Sequence, residues 1–483
     1  MPARLVYNVE YRLKIGLFGV GLDVYWPQFP GLEQRLKGYT QHVQERLEHA
    51  GAEVINLGLV DNPAKAMRAG HQFRSDDVDL IFLLVTTYAL SATVLPVVRR
   101  AGVPVVVLNL SPGSNIDYES FNGLADRQKM TGEWLAWCQA CPAPEIANMF
   151  QRAGISFCSV TGMLDDDPVA WAEIDSWVKA AAVKHAMEHN RLGLMGHYYG
   201  GMLDIYSDLT THLAGFGGHM EILEVDELTA LAQGVSGVEI ERRISEFHEV
   251  FDVQPDCASE ELDRAAKTSV ALDRLTEKYE LGALAYYYKG AGIPANEDTM
   301  SSIILGASLL TARGIPVAGE YEVKNAQAMK IMDGFHAGGS FTEFYATDFH
   351  DDVILMGHDG PGHIGIADGK IKVRPLGVYH GKVGHGLSVE MSVKNGPVTL
   401  LSVAESTGAR LKFVVAQAES VAGPILEIGN TNSRYRFPIG ARRFIQEWSS
   451  HGPAHHCAIG VGHIANDIEK LAALLNMEMV CVC

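Results

Sequence analysis

VDLIFLLV, residues Val78–Val85, decides the fold class. It is short, continuous and apolar, as a parallel strand covered on both faces must be. Working outward, Lys14–Gly19 (KIGLFG), Glu53–Leu57 and Val103–Leu110 (VPVVVLNL) have the same texture. Between these strands lie two amphipathic stretches, Leu32–Ala50, stopped by Gly51, and Ala89–Ala101, stopped by Gly102. Strand, helix, strand, helix in this rhythm predicts a doubly wound α/β domain. A helical bridge near Asp167–Asn190 leads to a second such unit. Its expected strands are Leu192–His197, Glu221–Val225, Ala283–Tyr288 and Ile315–Ala318. Its expected helices include Val238–Phe251 and Ser259–Tyr279.

After about Gly339 the texture changes. Val353–Met356, His363–Ile366, Lys370–Arg374, Leu387–Val393, Val398–Ala404, Leu411–Gln417 and Pro424–Ile428 are strand candidates without helices between them. Turns such as Ala367–Lys370 (ADGK) and Lys394–Pro397 (KNGP) separate them, which predicts a mostly antiparallel β-barrel or sandwich. A helix over Ile464–Asn476 follows. The fold class expected is thus two Rossmann-like α/β domains, 1–172 and 173–339, then a β-rich domain, 340–483, as the length of 483 residues allows.

Formal net charge is −19. So acidic a surface repels phosphate backbones and anionic membranes, so neither nucleic acid nor membrane is expected as a partner. No stretch approaches the roughly 20 apolar residues of a membrane span, and the N-terminus lacks a signal-peptide pattern. A cytoplasmic location is expected. Seven cysteines, spread from Cys138 to Cys483, do not form a disulfide framework. Cys138 and Cys141 form a CxxC; without a second Cys/His pair nearby, two thiols at a helix end are the simpler reading.

Four segments offer ligands for a hard cation or for proton transfer: Ala318–Ala326 (AGEYEVKNA), Ser340–His350 (SFTEFYATDFH), Ile354–His363 (ILMGHDGPGH) and His451–Gly460 (HGPAHHCAIG). Glu320 follows an apolar strand and precedes a helix, where open α/β sheets place ligands; a helix-capping acid is the alternative. Glu343 lies among Phe341, Phe344 and Tyr345, where a carboxylate needs a cation or donor if buried; the alternative is an exposed acid on a half-buried strand. His358 ends a strand before Asp359-Gly-Pro-Gly. His455 and His456 are adjacent, and on a strand would point to opposite faces. His350, His363 and His451 are possible decoys. Two carboxylates with two imidazoles suit Mn²⁺, Fe²⁺, Co²⁺ or Zn²⁺, and no cysteine joins them as in structural zinc.

At these residues the sequence resembles the L-arabinose isomerase family and, more distantly, L-fucose isomerases. The likeness rests on Gly319-Glu320-Tyr321-Glu322-Val323-Lys324, Ser340-Phe341-Thr342-Glu343, Gly357-His358 and Ala454-His455-His456. It implies a metal-dependent aldose–ketose isomerase. Glu320, Glu343, His358 and His456 would be the metal ligands, Mn²⁺ the metal, and the two glutamates the acid and base of a 1,2-enediol route. It also implies a homo-oligomer, trimer-based or hexameric. Two departures stand out. The first sugar-contacting loop, Ser-Gln-x-Leu-Tyr-Gly in the family, reads Gly19-Val20-Gly21-Leu22-Asp23-Val24-Tyr25-Trp26 here, and Val323 stands where the family has Trp. The expected substrate is an open-chain pentose, deoxyhexose or C6-modified hexose, with His455, Met202 and Tyr25 as contacts. The other readings are a metal-dependent hydrolase or lyase, and a non-enzymatic sugar-binding protein.

Overall fold

The computed structural model describes residues 12–49, 51–377 and 385–483. The chain divides into two compact units, one ending at His185 and the other covering Ala186–Cys483. In the first, strands β1 (Lys14–Val20), β2 (Glu53–Val60), β3 (Leu80–Leu84), β4 (Val105–Ser111) and β5 (Phe157–Met163) form a parallel sheet of order β2-β1-β3-β4-β5. All five residues of β3 are buried, as its unbroken apolar run requires. Phe18, Phe73, Val97 and Phe150 pack in the core. The helix over Pro63–Ser75 starts at Asn62, whose side chain accepts from the Lys65 N–H at 3.0 Å, with proline in its first turn.

Two expectations here need adjusting. The stretch Ala89–Ala101 is not one helix: a 3₁₀ turn, Ser91–Thr93, precedes a helix over Leu95–Ala101 whose first turn holds Pro96. Strand β5, FCSVTGM, escapes a hydrophobicity reading because only Val160 is buried on this sheet edge. The helix Pro168–Glu188 spans the expected 172/173 boundary, and the units divide near its end.

The second unit opens with β6 (Arg191–Met195), β7 (His219–Leu223), β8 (Asp252–Val253), β9 (Ala283–Tyr286) and β10 (Val317–Ala318). Four of them pair in parallel in the order β10-β9-β6-β7. The helix Ser259–Tyr279 has the predicted bounds. The buried helix Val323–Gly334 then leads into the β-rich part. There β11 (Gly338–Asp348), β12 (Val353–His358), β13 (Lys372–Pro375), β14 (Leu387–Glu390), β15 (Gly396–Ser406), β16 (Arg410–Ser420), β17 (Thr431–Arg436), β18 (His456–Val461) and β19 (Glu478–Cys481) follow. The large sheet runs β15-β18-β11-β12-β17-β16-β19, and β15 also pairs with β16, so the pairing closes on itself. Only β19 joins it in parallel. The helix Val323–Gly334 packs on β11, β15 and β18. Strands β14, β13 and β8 form a small separate sheet.

Two readings of this region fail. His363–Ile366 is a 3₁₀ turn rather than a strand, and Pro424–Ile428 lies outside any strand. The strand in that neighbourhood is β17, TNSRYR. Its polarity hid it, yet five of its six residues are buried because the sheet covers both its sides. A helix, Ala441–Ser450, also interrupts the strands; Ala441, Phe444 and Trp448 form its buried stripe.

Candidate active site

The site is built where β10 ends. Gly319 is followed by Glu320 and Tyr321, both in the left-handed region at φ 58° and 61°. Two successive non-glycine residues there are unfavourable, by about 1–2 kcal/mol each. The turn is held by the Tyr321 N–H donating to the Tyr286 carbonyl at 2.8 Å and the Glu322 N–H donating to the Gly319 carbonyl at 3.0 Å. Strain held this way marks functional positions. Glu322 is fully buried at the N-cap of the helix Val323–Gly334.

The large sheet supplies the facing groups. Glu343 on β11 lies opposite Gly357 on β12 and opposite His456 on β18. His358 ends β12, where its N–H donates to Thr431 Oγ1 at 2.7 Å. Phe341, two residues before Glu343, puts its ring 4.4 Å from the His358 ring and 4.3 Å from the His456 ring. One ligand atom each from Glu320, His358 and His456 lie within 4.8 Å of one another, and so do atoms of Glu343, His455 and His456. Two ligands of one cation at ~2.0–2.6 Å are at most ~4–5 Å apart, so each of these two triads, which share His456, has a spacing that could hold an ion.

Behind these groups lies a supporting layer. His456 Nδ1 is 2.5 Å from Glu322 Oε2, and its Nε2 is 3.8 Å from Glu320 Oε2. A carboxylate on the far nitrogen of a ligating histidine orients the ring and its tautomer. His455 Nδ1 is 2.6 Å from Asp204 Oδ2, which also accepts the His455 N–H at 3.0 Å. The two histidine rings are 3.8 Å apart at their centroids. The expectation that they face opposite ways fails, because β18 begins only at His456 and His455 sits in the bend before it.

Burial dominates the electrostatics. It raises the Glu320 carboxyl to about 7, against the pull of His455 and with help from Glu322, Glu343 and Asp204. Burial likewise raises Glu322 to about 8, with Lys324 and His455 acting the other way. His456 is pushed well below its usual value by burial and by its neighbour His455. Burial thus pushes both partners of the Glu322–His456 pair toward their neutral forms. Burial also works against a charged His455, but the hydrogen bond and charge of Asp204 outweigh it, and its pKa rises. Among the described residues Glu320 Oε2 has no hydrogen-bond donor, which leaves a buried carboxylate oxygen open to a cation. The oxygen and imidazole donor set fits a first-row divalent ion.

Other candidates fall elsewhere. Tyr25 belongs to the first unit, in a 3₁₀ turn where its ring meets Trp26 and Phe29 edge-on at 6.5 and 5.9 Å. Met202 lies in the turn between Tyr199 and Ile205. Two residues on, Asp204 lines a polar cavity of about 570 Å³ with Ser207, Asp208, Lys324 and Glu405. His350 is exposed, His363 is buried apart from the cluster, and His451 caps a helix. Cys138 and Cys141 are free thiols, with Cys138 raised to about 11 by burial, the opposite of an activated thiolate. The residues that the motif reading passed over are Glu322 and Asp204. For Glu322 the signal was present: an acid two residues after Glu320 at a helix start. Asp204 carried none, since only the fold brings it to His455.

Residues 338–478 match the L-arabinose isomerase C-terminal domain family. The chain is 24% identical to the L-arabinose isomerase of a Nocardioides species over 356 residues, which cover 70% of this chain and 68% of that one. It is 24% identical to the L-arabinose isomerase of Shewanella sp. strain MR-4, over 64% of this chain and 63% of that one. Against solved structures, a solute-binding protein from Burkholderia multivorans covers 68% of this chain and 92% of its own at 14% identity, with a TM-score of 0.16 that supports no argument. Residues 338–478 thus carry the C-terminal domain of the L-arabinose isomerase family, and over about two thirds of its length the chain is similar to L-arabinose isomerases.

Proposed function

We propose that this protein is a divalent-metal-dependent aldose–ketose isomerase, with Glu320, Glu343, His358 and His456 holding the metal. The observation that supports it most is the meeting of carboxylates and imidazoles from four separate segments within 4.8 Å groups. Isomerisation moves one hydrogen between C2 and C1 and one proton between O2 and O1. A C–H proton beside a carbonyl is weakly acidic, and a bound divalent ion, Mn²⁺ by family likeness, would supply the positive charge that stabilises the enediol. Glu320 and Glu343 serve as the base and acid that move the carbon-bound hydrogen. A carboxyl whose affinity for protons is raised toward neutrality is suited to both taking and returning one. Glu322 orients His456, and Asp204 holds His455 toward the sugar. Phe341 excludes water from beneath the two imidazoles. The substrate class is an open-chain pentose, deoxyhexose or C6-modified hexose. Homo-oligomeric assembly, a cytoplasmic location and a division of the second unit at 339/340 belong to the same proposal; among the described residues, no helix is long and apolar enough to cross a membrane.

The test is a panel of aldoses incubated with the Mn²⁺-loaded protein and assayed for ketose. At least one should be converted, and chelation should stop conversion until Mn²⁺ is restored. No ketose from any aldose at full metal occupancy would overturn the reading; water-derived cleavage products would indicate a hydrolase or lyase instead.

A further inference from the structure

The cavity of about 570 Å³ that Asp204 lines adjoins the metal cluster. Asp204 Oδ2 is 2.6 Å from His455 Nδ1, and Pro453, two residues before His455, is part of the cavity wall. That volume has room for a drug-sized ligand, far more than a lone pentose or hexose occupies. The lining is of two kinds. The carboxylates of Asp204, Asp208 and Glu405 accept hydrogen bonds, and the hydroxyls of Ser207 and Thr407 both donate and accept. Beside them, Leu203 and Tyr206 are large apolar side chains left 75% and 40% exposed. The Tyr206 ring is held as a platform. Its hydroxyl accepts from the Gly201 N–H at 3.0 Å and donates to the Tyr199 carbonyl at 3.3 Å, and its ring centroid stands 5.2 Å from that of Tyr198. A sugar ring presents the same two kinds of surface, C–H faces and a rim of hydroxyls. Laid on an aromatic ring with its hydroxyls against carboxylates, it satisfies both. Among the described lining residues, three carboxylates face the one ammonium of Lys324, which donates to the Asp204 carbonyl, so the cavity disfavours an anion.

We propose that this cavity is a second sugar subsite, and that the substrate is an aldose carrying an uncharged glycosyl unit on a carbon remote from C1. The proposal rests on the isomerase reading and narrows its substrate class. C1 and C2 stay free beside the metal ligands and His455, as the hydrogen transfer requires. The glycosyl unit lies on Tyr206, with Ser207 and Glu405 at its hydroxyls. The glycosidic bond is neither made nor broken. Contacts to a remote, unreacting unit hold the aldose in place and raise turnover as well as binding, so the bare aldose behaves as a truncated substrate.

The test compares each aldose with its 4-O- and 6-O-hexosyl derivatives on the full-length Mn²⁺-loaded protein. At least one hexosyl aldose should exceed its bare parent ~10-fold or more in kcat/KM, a difference that one well-filled pocket can supply. The matching uronyl derivative should fall at least ~10-fold below the hexosyl one, because its carboxylate meets like charge. Tyr206→Ala should reduce the ratio of hexosyl to bare kcat/KM ~10-fold; should that variant misfold, the wild-type comparison decides alone. Binding is read separately with the corresponding alditols, reduced at C1 so that they bind without turnover, and the hexosyl alditol should bind more tightly than the bare one. Ketose from bare aldoses, with no gain for any hexosyl derivative and no tighter binding of any hexosyl alditol, would overturn the proposal and leave the isomerase reading intact. Equal turnover of uronyl and hexosyl derivatives would overturn the assignment of an uncharged unit. Tyr206-dependent binding of a hexosyl alditol, in a protein that makes no ketose from any aldose, bare or substituted, would support the subsite and sink the reading.

Discussion

Glu320 and Glu343 differ from ordinary surface acids in what surrounds them, and that difference yields the first predictions. Glu→Gln at either position keeps size and removes the base. Measured at saturating Mn²⁺ with occupancy confirmed, kcat should fall ~10²–10⁴-fold; near-normal turnover in a fully metallated variant would remove that residue from the chemistry. In deuterated water the ketose should gain deuterium at the carbon that receives the hydrogen, whereas full retention of the substrate hydrogen would favour a hydride shift. A pH effect follows from Glu320. Without metal its carboxyl binds a proton more tightly in the folded state, about 7 against an ordinary 4.5. Its contribution to stability is therefore present below about 4.5 and is lost as pH rises through about 7. Metal-free protein should weaken over that window, by thermal melts, and Glu320→Gln should weaken less. Because Mn²⁺ needs the ionised carboxylate, its affinity should fall as pH drops below about 7; an affinity flat from pH 8 to 5 would contradict this. His455→Ala should raise KM and leave metal content unchanged, since Asp204 holds the ring as a sugar contact. Metal loss equal to that of His456→Ala would reverse the roles of the pair.

At the scale of elements, the site is a register. β11 lies between β12 and β18, and one row of pairing brings Glu343, Gly357 and His456 together. The turn after β10 then delivers Glu320 and Glu322 to the same place. Glu322→Gln should leave the helix Val323–Gly334 intact and lower metal affinity 10–100-fold, the usual effect of losing a histidine's orienting carboxylate. Unchanged metal affinity would make Glu322 a helix cap and nothing more. Much of this was legible in the residues. Glu320 and His358 stood at strand ends and Glu343 in an aromatic stretch, each with an ordinary structural reading beside it, and the set of four came from the resemblance to L-arabinose isomerases. The buried parallel strands were legible because burial on both faces demands an unbroken apolar run. What escaped followed from tertiary context. β5 is an edge strand with one buried side chain, β17 is polar but sheet-covered, and Asp204 reaches His455 across 251 residues. The register shift of β11 at Tyr345, between Phe344 paired with Met356 and Ala346 paired with Leu355, was invisible because register depends on the partner strand, which periodicity along one chain does not reveal.

For the whole molecule, the second unit contains both the closed ring of strands and every candidate ligand. Metal binding should therefore stabilise that unit. Ligand present at 100 times its dissociation constant adds about 2.7 kcal/mol to a folded state that alone binds it, so the melting transition of the Ala186–Cys483 unit should rise with Mn²⁺, and that of the unit ending at His185 should respond less. Two coincident transitions with equal metal dependence would contradict a site confined to one unit. The central claim is that four side chains from four segments hold one ion. Anomalous X-ray scattering at the manganese edge, on crystals of the wild-type protein soaked in Mn²⁺, tests it most directly. The expected result is a single strong peak with Glu320, Glu343, His358 and His456 each contributing an atom at ~2.0–2.6 Å. A saturated crystal with no peak at that point, or with a peak ligated without the two glutamates, would contradict it.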